Sequence, residues 1–543
     1  MCKTPILSTF IGVSSLIEVK GPSDPCWPTT EAWPSLNETV SGRLIKTVPP
    51  GSVCYKSEPN CIETSCGYLF KNWVNSEYHS SNPVTVLDPL WSNSSCTPVY
   101  PNGTSVSGDI NAGSKGCSLG NLSPFAVNAT TAQHVKAAIQ FASKHKVRLN
   151  IKNTGHNPEK SSAYGSLSIW THHIKGLEIH DSFTPSDCSS HNMRRAVTIR
   201  AGIQDGELLD HLAKHDLTTV TGTSSGVGVA GWATGSGHGV LTGTYGMGVD
   251  NIIEAHIVTP RGEAVIANDC QSKELFWAIG GGGGGTFGVI LSLTMSIYTT
   301  PLMTTATVSM TARNGTSGKA WWKLVSSLHK QTTKLQDAGV MGYYNAGGSP
   351  YSFQYTMFQF NTTDTASIKH LIGPLEQLIQ MHNQTVESSS MSSWLPVWSS
   401  IENLLEPRGD ADSKSGDGVS DPSISGTMTI SHKPVNNALN PAWWDGTVHL
   451  ITSVQWDDTV PVLDAKRAIE AVIHNTGYAI RQLSPDSGAN SWQLNWQWAF
   501  WETNYPRLLT IKQTYDPSNL LWCRHCVGSE SLQKSNGSLG RAF

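Results

Sequence analysis

The chain is poor in charge and has no long hydrophobic run. Only 14% of its 543 residues are Asp, Glu, Lys or Arg, against about 25% in a typical soluble domain, and the formal net charge is −4. No block of Lys and Arg forms the basic patch that nucleic-acid-binding proteins need. No apolar stretch reaches the roughly 18 residues of a membrane-spanning helix. We therefore expect neither nucleic acid nor a membrane as partner and predict a small-molecule substrate, in a chain long enough for two to four domains.

Several motifs with a defined chemistry are also missing. No Gly-Lys-Ser/Thr follows a glycine-rich stretch, as a P-loop requires, and no Gly-x-Gly-x-x-Gly opens a helix behind the first strand. Cys523-Arg-His-Cys526 has the spacing of zinc ligands, but no second pair accompanies it. We predict no metal site and interpret this pair as a disulfide or as two ordinary thiols.

Cysteine is unevenly distributed. Six of the 11 cysteines fall between residues 23 and 120, in a stretch rich in Pro, Ser and Asn. They are Cys26, Cys54, Cys61, Cys66, Cys96 and Cys117. This clustering predicts a disulfide-rich N-terminal part over residues 23–120, with ordinary buried thiols as the alternative. Residues 1–22 form a possible signal segment, and nine Asn-x-Ser/Thr sequons agree with a secreted glycoprotein.

A regular pattern begins near residue 121. Val135, Ala138, Ile139 and Ala142 share one helical face behind a cap at Thr130 or Thr131. Next, Val147, Leu149 and Ile151 alternate as in a half-buried strand, which ends in Asn153-Thr-Gly-His156. Ligands of α/β proteins bind at loops of this kind.

Glycine is concentrated in the middle of the chain. Residues 222–288 hold 18 of the 50 glycines, 14 of them in two stretches at 222–239 and 280–288. Glycine in a regular element costs roughly 0.5–1 kcal/mol, so this density favours turns with positive φ or close approach of a bulky ligand. Hydrophobic strands flank both stretches, which argues against a flexible linker.

The second half of the chain differs in character. Long amphipathic helices and aromatic strands follow residue 303, and residues 406–426 are predicted to form a mobile surface loop. Twelve of the 19 tryptophans lie at or beyond Trp321. They fill a core or line a pocket for an apolar or planar substrate, and the sequence leaves both open.

Taken in order, these motifs resemble a known family. The resemblance is carried by residues 123–131, 153–156, 166–173, 226–231, 245–251, 275–278, 281–289, 504–509 and 515–517. The chain resembles the berberine bridge enzyme-like FAD-linked oxidoreductases of the vanillyl-alcohol oxidase superfamily, and among them the fungal isoamyl alcohol oxidase-like branch. This implies an α+β fold: a two-part FAD-binding domain of the PCMH type, residues 121–302 and 496–543, and a substrate domain, residues 303–495, with an antiparallel sheet flanked by helices.

The resemblance also implies the binding residues for FAD. His156 takes the place of the histidine that is bonded covalently to the flavin. Ser224 or Ser225 stands where relatives often carry a second, cysteine link, so a single covalent bond is expected. The remaining cofactor residues implied are Asn153, Thr154, Gly155, Ser161, Ser162, Gly222, Gly226, Val227, Gly228, Gly231, Gly235, Gly237, His238, Gly239, Val249, Asn251, Ile252 and Val289.

The expected reaction is oxidation of an alcohol or secondary-metabolite intermediate, with hydride transfer to flavin and O2 as acceptor. Candidates for the catalytic base are Tyr355, Tyr351 and His238. The sequence departs from the family pattern at 157–162, at Gly280 and at 488–496. These departures motivate the alternative, a non-redox cyclase or isomerase that uses the same fold.

Overall fold

The computed structural model describes residues 27–87, 95–189, 193–348, 351–394, 423–429, 431, 433–454, 460, 462–484, 487–488, 495–535 and 538–541. The possible signal segment, Cys26 and most of the predicted loop at 406–426 lie outside these residues. The end of that loop prediction is wrong, because residues 423–427 form a strand that pairs on both sides. No helix in the described part of the chain is both long and apolar enough to span a membrane.

The first part of the chain joins a small mixed sheet. Its elements are α1 (Ala32–Thr39), β1 (Leu44–Lys46), a 3₁₀ helix (Pro50–Cys54), α2 (Glu63–Asn72), α3 (Ser76–Ser81), α4 (Ala112–Lys115), β2 (Phe125–Asn128), α5 (Ala132–His145), β3 (Arg148–Lys152), α6 (Pro158–Ser161) and β4 (Ser166–Trp170). The strand order is β1-β2-β4-β3, with β2, β4 and β3 parallel. Thr131 caps α5, and all four residues of its predicted apolar face are buried. The loop after β3, which carries His156, therefore leaves the sheet at the end of a buried parallel strand.

An antiparallel sheet completes the first domain, in the order β5-β6-β10-β8-β9. Its elements are β5 (Leu177–Phe183), β6 (Arg194–Arg200), α7 (Asp205–Ala213), β7 (Leu217–Thr218), α8 (Val229–Thr234), α9 (Thr242–Tyr245), a 3₁₀ helix (Val249–Asn251), β8 (Ile252–Val258), β9 (Ala264–Asn268), α10 (Lys273–Ile279), β10 (Val289–Ser296) and β11 (Tyr298–Thr299). Both glycine-rich stretches connect elements of this domain. They are therefore parts of one folded unit and not a linker.

The second domain is a six-stranded antiparallel sheet in the order β15-β12-β14-β13-β16-β17. Its elements are β12 (Met303–Ala312), α11 (Gly318–Asp337), β13 (Val340–Gly347), β14 (Ser352–Phe360), α12 (Thr365–Met381), β15 (Val386–Trp394), β16 (Ser423–Thr427), α13 (Ala442–Asp445), β17 (His449–Ser453), α14 (Val462–Ala471), a π-helix (Val472–Thr476) and α15 (Gly477–Leu483). α11 and α12 pack on one face of the sheet through a core that includes Trp321, Leu324 and Ile368. The implied fold class is confirmed.

The chain then returns to the first domain. The last elements are α16 (Trp496–Trp501), a 3₁₀ helix (Glu502–Asn504), α17 (Tyr505–Tyr515), a 3₁₀ helix (Ser529–Ser531), β18 (Leu532–Ser535) and β19 (Ser538–Arg541). Trp501, Leu508 and Ile511 join the core of the first domain. Leu439, from within the sequence range predicted for the second domain, lies in the same core.

A buried ion pair fixes this returning segment. Lys512 Nζ lies 2.7 Å from Asp516 Oδ2 and donates to the carbonyls of Thr286 and Leu521. We predict that Lys512→Met lowers the free energy of unfolding by about 3–5 kcal/mol, because a carboxylate then stays buried without its cation. Urea denaturation measures this loss.

The control for this variant is Lys175→Ala, which removes an exposed ion pair with Glu207. Exposed pairs contribute about 0–1 kcal/mol. Equal losses in the two variants would contradict a structural role for the Lys512–Asp516 pair.

Four disulfides lie among the described residues: Cys54–Cys66, Cys96–Cys117, Cys188–Cys270 and Cys523–Cys526. The first two confirm disulfides in the N-terminal part, and the last confirms one of the two interpretations of the Cys523 pair. Cys61 is exposed and has no disulfide partner among these residues. The pairing of Cys188 with Cys270 was missed, because 82 residues separate the two cysteines.

Candidate active site

A cavity of about 1680 Å³ lies between the two domains. Its walls come from the loop after β3, both glycine-rich stretches, the edge strand β17, the helices around the π-helix, and the returning C-terminal segment. Sites for single drug-sized ligands are about 300–1,000 Å³. The cavity therefore has room for a large cofactor and a substrate together.

Most of the predicted cofactor residues line this cavity. They are Asn153, Thr154, Gly155, His156, Ser161, Gly222, Ser224, Val227, Gly228, Gly231, Gly235, Gly237 and His238. The predicted residues that are not part of the cavity lining are Ser162, Ser225, Gly226, Gly239, Val249, Asn251, Ile252 and Val289. Asn251, for example, is buried: its side-chain nitrogen donates to the Met247 carbonyl, and its Oδ1 accepts a hydrogen bond from the Tyr298 hydroxyl.

The loop after β3 packs tightly against the first glycine-rich stretch. Asn153 Nδ2 donates to the Ala201 carbonyl at 2.5 Å. A Cβ at Gly228 would lie 2.6 Å from that same nitrogen, and one at Gly226 would lie 3.3 Å from His156 Nε2. Glycine is required at Gly228 because the side chain of Asn153 occupies the space of a Cβ. The two segments together hold the imidazole of His156 at the cavity wall.

A buried lysine lies beneath this loop. The Lys152 ammonium donates to the carbonyls of His79, at 3.0 Å, and Thr154, at 3.5 Å. Burial lowers the pKa of Lys152 to about 7. Sequence reasoning missed Lys152 because its position in a strand predicts packing and gives no sign that its amine is enclosed.

The second glycine-rich stretch also lines the cavity, and it packs against the first near Gly231 and Gly284. Gly281, Gly283 and Gly285 have φ values of +114°, +96° and +73°, a region that favours glycine. Lys160 Nζ donates to the Gly284 carbonyl at 3.1 Å. One of the departures from the family pattern thus places a cation on the cavity wall.

The arrangement fits FAD. Gly231 lines the cavity, and a Cβ built there would meet no atom within 4 Å, so the backbone faces open space. Asn153 Oδ1 is buried at this wall and has no hydrogen-bond partner among the described residues, so it can accept a bond from a ligand hydroxyl. Backbone N–H groups in glycine-rich turns suit a diphosphate.

His238 stands where the first glycine-rich stretch meets the second domain. Its Nδ1 lies 3.4 Å from the Tyr343 hydroxyl, and its ring stacks on Trp443 at 5.9 Å between centroids. The ring centroids of His449 and His238 are 6.4 Å apart. His449 Nδ1 is buried and has no hydrogen-bond partner in the described part of the chain. Burial and the nearby His449 lower the pKa of His238 to about 4, so the ring is neutral and can accept a proton at pH 7.

The structure does not support either tyrosine as a base. Tyr355 is 1% exposed, and its hydroxyl donates to the sulfur of Met428 within the core of the second domain. Burial raises its pKa far above the ordinary value, so it cannot serve as a phenolate. Tyr351 packs against Trp321 at 5.7 Å. Neither tyrosine lines the cavity, whereas Trp443 and His449, which sequence reasoning missed, both do.

Both interpretations of the tryptophans hold, for different residues. Trp321 is fully buried in the core of the second domain. Trp443, Trp498, Trp501 and Trp522 line the cavity. The pocket beside the cofactor walls is therefore aromatic, which suits an apolar or planar substrate.

The other departures lie at Gly280 and at residues 488–496. A Cβ at Gly280 would lie 3.1 Å from Asn437 Cβ, and the Gly280 carbonyl accepts a bond from Ala438. A larger residue at this position would require a small shift of Asn437. In the departure at residues 488–496, residues 489–494 lie outside the described residues, whereas Gly488 and Asn495 line the cavity.

Comparisons with known proteins agree with this geometry. A family model described as "FAD binding domain" matches residues 124–268, and one described as "Berberine and berberine like" matches residues 471–528. The FAD-linked oxidoreductase ZEB1 of Gibberella zeae is 30% identical, covering 94% of this chain and 92% of its own. The bifunctional decalin synthase calF of Penicillium decumbens is 28% identical, covering 94% and 93%. The crystal structure of the VAO-type flavoprotein MtVAO615 from Myceliophthora thermophila C1 superposes with a TM-score of 0.83 at 27% identity, covering 97% of this chain and all of its own.

Proposed function

Since the chain belongs to the berberine bridge enzyme-like FAD-linked oxidoreductases of the vanillyl-alcohol oxidase superfamily, we propose that it oxidises an alcohol or a secondary-metabolite intermediate. O2 is the final electron acceptor, and a single covalent bond at His156 tethers the FAD. The observation that carries the proposal is one cavity lined by His156, both glycine-rich stretches, His238, Trp443 and His449.

The first domain supplies the cofactor site. His156 would hold the flavin, Asn153 Oδ1 would accept a hydrogen bond from a hydroxyl of its sugar chain, and backbone N–H groups around Gly228 and Gly283 would bind the diphosphate. Lys160 adds a positive charge at this wall. When bound, FAD supplies the electron-accepting ring for the C–H bond that breaks.

The proton chemistry takes place where the two domains meet, with His238 from the first domain and Tyr343 and Trp443 from the second. His238 is the base: its neutral imidazole takes the proton of the substrate hydroxyl while the adjacent C–H bond is broken. Tyr343 orients the imidazole through its 3.4 Å contact with Nδ1. Trp443 and the apolar side chains of the π-helix exclude water and hold the carbon skeleton.

Peroxide formation tests the proposed acceptor. Purified enzyme incubated in air with a panel of primary, allylic and benzylic alcohols should form one H2O2 for each carbonyl product. Product formed only with an added dye acceptor would assign a dehydrogenase and contradict O2 as the acceptor.

The lowered pKa of His238 predicts an unusual pH profile. A base with the ordinary histidine pKa of about 6.5 loses activity below neutral pH, whereas His238 stays neutral down to about pH 4. We expect kcat/KM to be level between about pH 5 and pH 7 and to fall only towards pH 4. The stability of the fold responds at a higher pH than kcat/KM does. Between about pH 6.5 and pH 4, His238 is protonated in the unfolded chain but not in the folded one, so stability decreases as the pH falls through that window. An inflection of kcat/KM near pH 6.5 would contradict His238 as the base.

A second function is favoured by one relative. The decalin synthase calF is bifunctional by name, and the departures at Gly280 and residues 157–162 alter the cofactor walls. In this alternative the cavity folds a reactive intermediate in a non-redox cyclisation or isomerisation. Product that forms from a candidate polyene under nitrogen, without bleaching of the flavin, would favour it over the oxidase.

We propose the secretory pathway as the location. Of the sequons in the described part, Asn102, Asn314, Asn361 and Asn383 are exposed. An oxidising compartment is also where the four disulfides form. Glycosidase treatment of the protein from its native host should increase its mobility on a gel, and an unchanged mobility would contradict this location.

A further inference from the structure

The disulfide between Cys523 and Cys526 lies on the wall of the active-site cavity. Of the four disulfides among the described residues, it alone has both of its cysteines in the cavity lining. The two residues between its cysteines, Arg524 and His525, line the cavity as well. The proposed oxidation makes no use of this disulfide.

The segment that carries the disulfide is held firmly. The guanidinium of Arg148, at the start of the strand that leads to the His156 loop, lies 4.8 Å from the centre of the Trp522 ring. The indole Nε1 of Trp522 donates to the Ser529 carbonyl at 3.0 Å. Lys512 donates to the Leu521 carbonyl. The disulfide is thus fixed relative to the strand that positions His156.

Burial limits what can reach this disulfide. Cys523 is 7% exposed and Cys526 3%. Cys54 and Cys66, in contrast, are both partly exposed. A reductant dissolved in the medium meets Cys54–Cys66 more readily, whereas Cys523–Cys526 is open only towards the cavity that it lines.

The sequence between the cysteines favours redox exchange over a purely structural role. The disulfide spans a separation of three residues, so it restricts the unfolded chain least of the four. Cys-x-x-Cys spacing and a neighbouring cation both favour the thiolate form of a reduced cysteine. Arg524, a cation, lies between the two cysteines in sequence. This disulfide stabilises the fold little by restricting the unfolded chain, and it lies on the cavity wall. Both facts favour a chemical role for it.

We propose that Cys523–Cys526 is a two-electron store that exchanges electrons with the flavin. This inference rests on the proposed function, which supplies the reduced flavin. The disulfide accepts two electrons and two protons from the reduced flavin: the S–S bond breaks, two thiols form, and the flavin returns to its oxidised state. The reverse step restores the disulfide and reduces the flavin again, so the active site holds four reducing equivalents in place of two.

The test is an anaerobic titration of the flavin-loaded protein with dithionite. Once the flavin has bleached, thiols are trapped with N-ethylmaleimide in denaturant and located by mass spectrometry. We expect four electrons to be consumed per flavin and two labels on the peptide that contains Cys523 and Cys526. The Cys523→Ser/Cys526→Ser variant should consume two. Cys54–Cys66 should stay unlabelled, which excludes direct reduction by dithionite.

Bleaching that is complete after two electrons, with the 523–526 peptide unlabelled, would overturn the proposal. Labelling of the wild-type protein decides the matter even where the double variant does not fold. A protein without flavin overturns this inference together with the proposed function, whereas a flavin that bleaches beside an intact disulfide overturns this inference alone.

Discussion

His156→Ala abolishes acid-stable flavin. The wild-type protein, precipitated with acid, should keep its yellow colour in the pellet, because a covalent bond survives denaturation. The variant should release all of its flavin into the supernatant. The reason is local: the imidazole lies at the cavity wall against Gly226, and Ser224, not cysteine, lines the stretch where a second bond would form.

A matched control is available in the same domain. His173 is exposed, and its ring Nδ1 forms a hydrogen bond with Asn128 Oδ1. His173→Ala should keep the flavin in the acid pellet. Flavin that stays with the pellet of His156→Ala would show that another residue forms the bond.

His238→Gln should lower kcat/KM about 10²–10⁴-fold, the usual contribution of a general base. Glutamine keeps a polar group near Tyr343 but cannot accept and hold a proton. The flavin spectrum and the acid-stable flavin should stay unchanged, because His156 lies elsewhere on the cavity wall. Steady-state kinetics on the best alcohol of the panel, together with the spectrum, measure both effects.

The control for His238 is His215→Gln, at an exposed histidine. It should leave kcat/KM unchanged. A His238→Gln variant with wild-type kcat/KM would remove His238 from the mechanism and direct attention to His449.

The first domain could be predicted from the sequence because its signals are local. Thr131 caps α5 as expected, and β8 (Ile252–Val258) is one of the hydrophobic strands predicted to flank the glycine-rich stretches. The His156 loop follows its strand directly, so chain order alone brings it to the sheet edge. The density of glycine likewise predicted two segments that line the cavity, because close approach of a ligand to the backbone requires glycine at that point in the sequence.

The second domain's contribution could not be predicted, since it depends on which face of a sheet meets the cavity. Tyr343 and Tyr344 are neighbours in β13 and point to opposite faces. Tyr344 is opposite Tyr355 in the next strand and packs beneath α11, whereas Tyr343 reaches His238. The sequence of an aromatic strand does not show which of its side chains face the cavity. That depends on the face of the sheet on which α11 and α12 pack. Trp443 and His449 were missed for a related reason, because about 200 residues separate them from His238.

The central claim is that this cavity passes electrons from a substrate to a bound flavin. The most direct test is the visible absorption spectrum of the purified protein under nitrogen, before and after addition of each candidate alcohol. The account predicts flavin bands that at least one alcohol bleaches and that return when air is admitted. A folded, colourless protein, or flavin bands that no candidate substrate bleaches while a polyene is converted, would contradict it.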